Sequence, residues 1–294
     1  MLRARLTIIL PLVLLLTLTL APVATAGPKG ADGDYEKAAL KVCPDGEVKC
    51  VAGVLRSLRK HTAPLARTCD HDAIFAALYT IVTRTYYETV SADPNFFKSN
   101  AFVNHEDGVF AFYYLGAYEA WQEGRKAQVP RAWRIAFAAA ENQELTATGN
   151  LIMGINAHVV RDLPFVLAAL GLGNKDDHNQ VNEILWDAYA PAITAINDHL
   201  ADSIDAGDID GTTLDNEVLF AYVTKLREQA WYDATLLVHA RTPTLRKRVA
   251  AQIEAKAAAQ ARSYREQYAY PNDSEAGVER NAYCEANSQP VDYL

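Results

Sequence analysis

His158 and Asp162 form an H-x-x-x-D pair, one helical turn apart. On a helix this spacing sets an imidazole and a carboxylate on one side, where they can share a metal ion or the carboxylate can orient the imidazole. Water on such a metal, its pKa lowered toward neutrality, attacks an ester or phosphoester with no covalent nucleophile. Read as structure alone, the pair is a buried hydrogen bond. Alternatively Asp162 caps a new helical segment, because Pro164 has no N–H to donate and interrupts the run. His105-Glu106-Asp107 gathers the same residue types. At the start of a helix these acids serve the dipole; beside the central run, His105 or Asp107 supplies a third ligand. His71-Asp72 has the same double meaning, and Asp177-His178 opens a helix that brings His178 toward the lower end of the central one. His199 and His239 fall near helix ends, where a protonated imidazole suits the dipole. Asp205, Asp208 and Asp210-Gly211 lack the spacing and closing glutamate of a calcium loop, and read as a solvated acidic loop. No glycine-rich phosphate loop, G-x-S-x-G elbow, H-E-x-x-H or active-cysteine signature occurs, so covalent catalysis has no support.

The element that must position this chemistry is the stretch from Asn150 to Gly171, NLIMGINAHVVRDLPFVLAALG. At roughly 100° per residue, its Leu, Ile and Val side chains cover nearly half the helix circumference. Asn156 falls inside that arc, and His158 and Asp162 lie at its edge. A helix with so wide an apolar face belongs in the middle of a bundle, where each unpaired polar group costs a few kcal/mol. Its polar residues must therefore find partners: one another, other helices, a metal or a ligand.

Helical periodicity also marks Asp70 to about Thr85, His105 to Gly124, a segment from Pro130, Val181 to Leu200 through Pro191, a helix capped by Asp215, and the alanine-rich Leu245 to Tyr268. Almost nothing alternates with period two. The expected fold is all-α, a single multi-helix bundle around a central buried helix, spanning residues 34–270. Residues 271–294 read as an irregular tail. Tyr113, Tyr114, Trp121, Trp133, Trp186 and Trp231 supply packing anchors first and a ligand-lined cleft second.

The N-terminus reads as a signal peptide over residues 1–26: Arg3 and Arg5, an apolar core from Leu6 to Leu20, then Ala24-Thr25-Ala26. A flexible lead-in follows over residues 27–33. The apolar core is short for a membrane span, and the central run carries an Arg and an Asp, so no membrane anchor is expected. The mature chain is then secreted. Cleavage takes the 28 basic residues to 26 against 36 acidic ones, a net charge of −10. Such a surface repels phosphate backbones, and nucleic acid is not an expected partner. Cys43, Cys50, Cys69 and Cys284 all remain, and four cysteines in an exported chain read as two disulfides with three possible pairings. Cys43 and Cys50 flank the turn Pro44-Asp45-Gly46, which favours a local bridge. Cys69 would then tie to Cys284 and pin the tail.

GINAHVVRDLP at Gly154–Pro164, with FVNHEDGVFAFYYLGAYEAW at Phe102–Trp121 and VPRAW at Val129–Trp133, resembles a family of uncharacterised, mostly actinobacterial secreted helical proteins. The resemblance covers about residues 73–240 and brings no activity with it. His158 and Asp162 also match the helical H-x-x-x-D ligands of the zinc-dependent phospholipase C and P1-nuclease group, which is exported, helical and disulfide-stapled. That group uses an N-terminal Trp and an H-x-x-x-E pair. Here cleavage leaves Gly27, and Asn182 stands four residues after His178. What the resemblance implies is a reduced site holding one divalent metal, zinc by its ligand types, on His158, Asp162 and His105 or Asp107. Two functions follow as expectations: a secreted metal-dependent hydrolase of ester or phosphoester bonds, or a non-catalytic helical protein that binds an apolar or aromatic small molecule.

Overall fold

A computed structural model describes residues 36–202, 213–271 and 275–294. The segments read from the sequence as signal peptide and lead-in, and the core of the acidic loop, lie outside these residues. Among the described residues ten α-helices of eight residues or more follow in order: α1 (Val48–Arg67), α2 (Ala73–Ala92), α3 (Asn100–Gln122), α4 (Arg131–Glu141), α5 (Ala147–Ile155), α6 (Leu163–Leu170), α7 (Lys175–His199), α8 (Thr213–His239), α9 (Pro243–Gln267) and α10 (Ala276–Asn287). A π-helical segment, Asn156–Asp162, joins α5 to α6. No strand occurs among the described residues, and the class is all-α as expected.

The 24 residues Ala147–Leu170 form one continuous rod. Thr146 caps it, its hydroxyl accepting from the Gly149 amide, and Gly171 ends it at φ +84°, a left-handed position natural to glycine. Its length and composition would suit a membrane span. The bundle supplies the apolar surroundings instead, burying 83% of the rod's most apolar stretch. It packs against α2, α3, α4, α8 and α9. α2 approaches closely at Gly154, where a Cβ would lie 2.3 Å from Cγ of Phe75. Asp162 makes no cap. Pro164 interrupts the hydrogen-bond ladder, and the run widens into a π turn rather than breaking.

Two other boundaries differ from the sequence reading. α3 begins at Asn100, a turn before His105, so His105-Glu106-Asp107 lies inside the helix and caps nothing. The tail is not irregular: Ala276–Asn287 is helical, and the chain end docks through Arg59 and Arg84, which donate to the carbonyls of Leu294 and Tyr293. Both proposed pairings form, Cys43–Cys50 beside α1 and Cys69–Cys284 from the start of α2 to α10.

Candidate functional site

His158 sits on the π segment and is 3% exposed. Its imidazole lies flat on Phe110, ring centroids 3.5 Å apart and planes 8° from parallel, with Tyr79 at 4.5 Å and Phe75 at 5.6 Å. Nδ1 is 3.7 Å from Oδ2 of Asp162, beyond a hydrogen bond, and neither ring nitrogen has a partner among the described residues. Burial drives the imidazole below its ordinary pKa, against the pull of Asp162, so it is neutral at physiological pH.

Asp162 is fully buried and engaged elsewhere. Trp133 Nε1 donates to Oδ2 at 2.7 Å and Arg161 Nη1 to Oδ1 at 2.8 Å. Arg161 continues to Glu254 of α9 at 2.6 Å, so the carboxylate anchors a chain of charges from the central rod to its neighbour. Asn156 also joins α9, donating to the Ala257 carbonyl at 2.9 Å. The pair recognised in the sequence is thus close in space, yet its acid serves Trp133 and Arg161.

The other sequence candidates diverge. His105 donates to the Leu40 carbonyl at 3.2 Å, toward the N-terminal turn. Asp107 turns one oxygen, Oδ2, into the interior without a partner, and burial beside Glu106 raises its pKa to about 7. Tyr79 Oη and Thr83 Oγ1 on α2 are likewise enclosed and unpartnered. His178 turns to α8, donating to the Arg227 carbonyl at 3.3 Å, and not to the central rod. Among the described residues no three His, Cys, Asp or Glu side chains converge on a metal-sized position.

An open site lies at the start of α2. A cleft of about 560 Å³ is lined by Asp70, Asp72, Trp121, Glu141 and Gln143 among others. It shares His71 and Asp72 with a recess of about 10 Å³, room for one water, walled by Phe75, Tyr114, Trp133 and Phe137. Local structure explains the mouth. Cys69 sits at φ +53°, which turns the chain sharply between α1 and α2, and Oδ1 of Asp70 accepts from the Asp72 amide. Asp72 itself makes no cap bond and faces the cleft. Burial, then Asp70 and Glu141, push its carboxyl well above the usual carboxylate range, with no cation among the causes. His71 is held neutral, its pKa depressed to about 3 by burial and by the Arg280 guanidinium. The sequence pointed to His71-Asp72, and to Trp121 as a packing anchor with a cleft as its second reading, but held no sign of Glu141 or Gln143, which arrive from the far end of α4.

No curated protein and no solved structure matches the chain. One family model matches residues 51–267, from the second turn of α1 to the end of α9, and takes in both the His158 core and the cleft. The chain belongs to that family, a family of unknown function (DUF5995).

Proposed function

We propose that the protein is a non-catalytic helical binding protein whose cleft at the start of α2 takes a small molecule with an apolar or aromatic body and a cationic or hydrogen-bond-donating head. The observation that carries this reading is the cleft itself. Its volume falls in the range of small-molecule sites, and it joins three carboxylates to an aromatic-walled recess. A cationic head would relieve the mutual repulsion of Asp70, Asp72 and Glu141, on the side of the cleft away from Lys126, whose ammonium already covers the Trp121 ring at 4.0 Å. Two disulfides are compatible with an extracytoplasmic setting, and the N-terminal apolar segment supports the same reading.

A metal-dependent hydrolase built on His158 and Asp162 has less support. Its favourable feature is the pair of unpartnered His158 nitrogens with the enclosed Asp107 oxygen. Against it stand the two engaged oxygens of Asp162 and the ring wall around the imidazole. These residues do not fit a hydrolytic zinc, and no reaction step is assigned to them.

The test is titration with benzyltrimethylammonium and with tryptamine, read by melting temperature and calorimetry, beside neutral indole. The cationic compounds should raise the melting temperature and indole should not, and Glu141→Gln should weaken the cationic response. No response to either cation at millimolar concentration removes the reading.

A further inference from the structure

α10 contributes no residue to the lining of the cleft, yet it grips three residues that do. Cys284 is bonded to Cys69. Arg280 Nη1 donates to Nδ1 of His71 at 3.3 Å and, in the same buried position, to Asn150 Oδ1 at 2.8 Å and the Leu145 carbonyl at 3.2 Å. Asn281 makes the third grip from both ends of its amide. Its Oδ1 accepts from Nε2 of His71 at 3.1 Å, and its Nδ2 donates to Oε1 of Gln143 at 2.9 Å. The assignment is self-consistent, because Arg280 donates to Nδ1 and so leaves the proton of the neutral imidazole on Nε2.

His71 and Gln143 reach the cleft from different elements, one just before α2 and the other just after α4. Gln143 itself sits at φ +54° and closes α4, its amide donating to the Ala140 carbonyl at 2.9 Å and the next amide to that of Ala139 at 3.2 Å, so its backbone is fixed and its side chain is what Asn281 holds. One side-chain amide therefore spans the cleft from behind. We infer that Asn281 is a positioning residue that sets the width of the cleft, and that α10, fixed by Cys69–Cys284, is the part of the chain that tunes which ligand heads fit between Asp72 and Glu141. The inference rests on the cleft being the binding site.

The experiment uses the full chain and Asn281→Ala. Amide exchange in the free protein is the ligand-independent arm. Loss of the clamp should speed exchange at residues 68–72 and 141–145 by about tenfold, equivalent to about 1.4 kcal/mol of local opening, with the middle of α2 unchanged. Unchanged exchange at both segments overturns the clamp, whatever any ligand does. Titration with benzyltrimethylammonium is the second arm. Asn281→Ala should weaken binding, whereas Val249→Ala, a cavity on the far side between α8 and α9, should lower the melting temperature and leave affinity alone. Equal affinity of wild type and Asn281→Ala overturns the positioning role. Absence of binding to the wild type defeats the cleft reading instead, and with it the claim that α10 tunes a ligand.

Discussion

The molecule contains two histidine–aspartate groups with opposite fates. His158 and Asp162 are sealed at the centre of the bundle. Asp162 holds Trp133 and Arg161, and the imidazole is sandwiched among rings. His71 and Asp72, adjacent in sequence, lie at an opening, one tied to α10 and the other facing the cleft, its carboxyl pushed well above the usual range by burial, Asp70 and Glu141. Residue type does not separate the two. The neighbours do: a carboxylate whose oxygens are already engaged by buried donors is a structural post, while one crowded by like charges at an opening has something to gain from a ligand.

The largest expected effect breaks the sealed group. Asp162→Ala strands the Trp133 N–H and leaves Arg161 with Glu254 alone, and breaking a buried pair in this way should cost about 3–5 kcal/mol in urea unfolding. A loss below about 1 kcal/mol would mean the core does not depend on this network. Next comes Gly154→Ala. The new methyl meets the ring of Phe75 at its Cβ end, which cannot swing aside, so overpacking should cost about 1–3 kcal/mol. An unchanged melting temperature would show that α2 can retreat from the rod.

Smaller in effect is a dependence on pH that belongs to the sealed side. Burial raises Glu106 and Asp107 to about 7, above their unfolded values. Protonated carboxyls are therefore favoured in the folded state. Their contribution is fully present below about pH 4, where the unfolded chain also carries the protons, and is lost as pH rises through about 7. Buried neutral His71 and His158 pull the other way, so the carboxyl effect is read as a difference: relative to Asp107→Asn, the wild type should lose unfolding free energy from pH 5 to pH 8. Parallel pH profiles for the two proteins would overturn this. The smallest stability effect is expected at the open group. Asp72→Asn removes a carboxyl whose charged form burial, Asp70 and Glu141 disfavour, and no cap bond, so stability at pH 7 should hold or rise, while the melting response to benzyltrimethylammonium is lost. Destabilisation comparable to that of Asp162→Ala would erase the contrast between the two groups.

Much of this frame was legible in the chain because it is local. The apolar arc of Asn150–Gly171, the ending at Gly171 and the turn between Cys43 and Cys50 are written within a few residues of where they act. Whether Pro164 would break the rod was not: a π turn absorbs it, and that depends on the packing of α2, α4 and α9 around the segment. The start of α3 was placed five residues late because Asn100–Asn104 carries little apolar periodicity, and the consequence was chemical, since it put Glu106 and Asp107 in the interior rather than at a cap. The cleft was half legible. His71-Asp72 stood out, but its other wall lies beyond α3, and the clamping Asn281 lies 210 residues from His71 and 138 from Gln143. No spacing rule reaches across such distances.

The bridge joins Cys69 to Cys284 across a sequence separation of 215, closing most of the bundle into one covalent ring. A protease that cuts once anywhere inside that ring makes two polypeptides but not two molecules. The pieces stay joined and, with the helices still packed, have nowhere to diffuse. Nicked chains should therefore run as intact protein on a non-reducing gel and fall apart only when thiols are added, so resistance to proteolysis is decided by the second cut and not by the first.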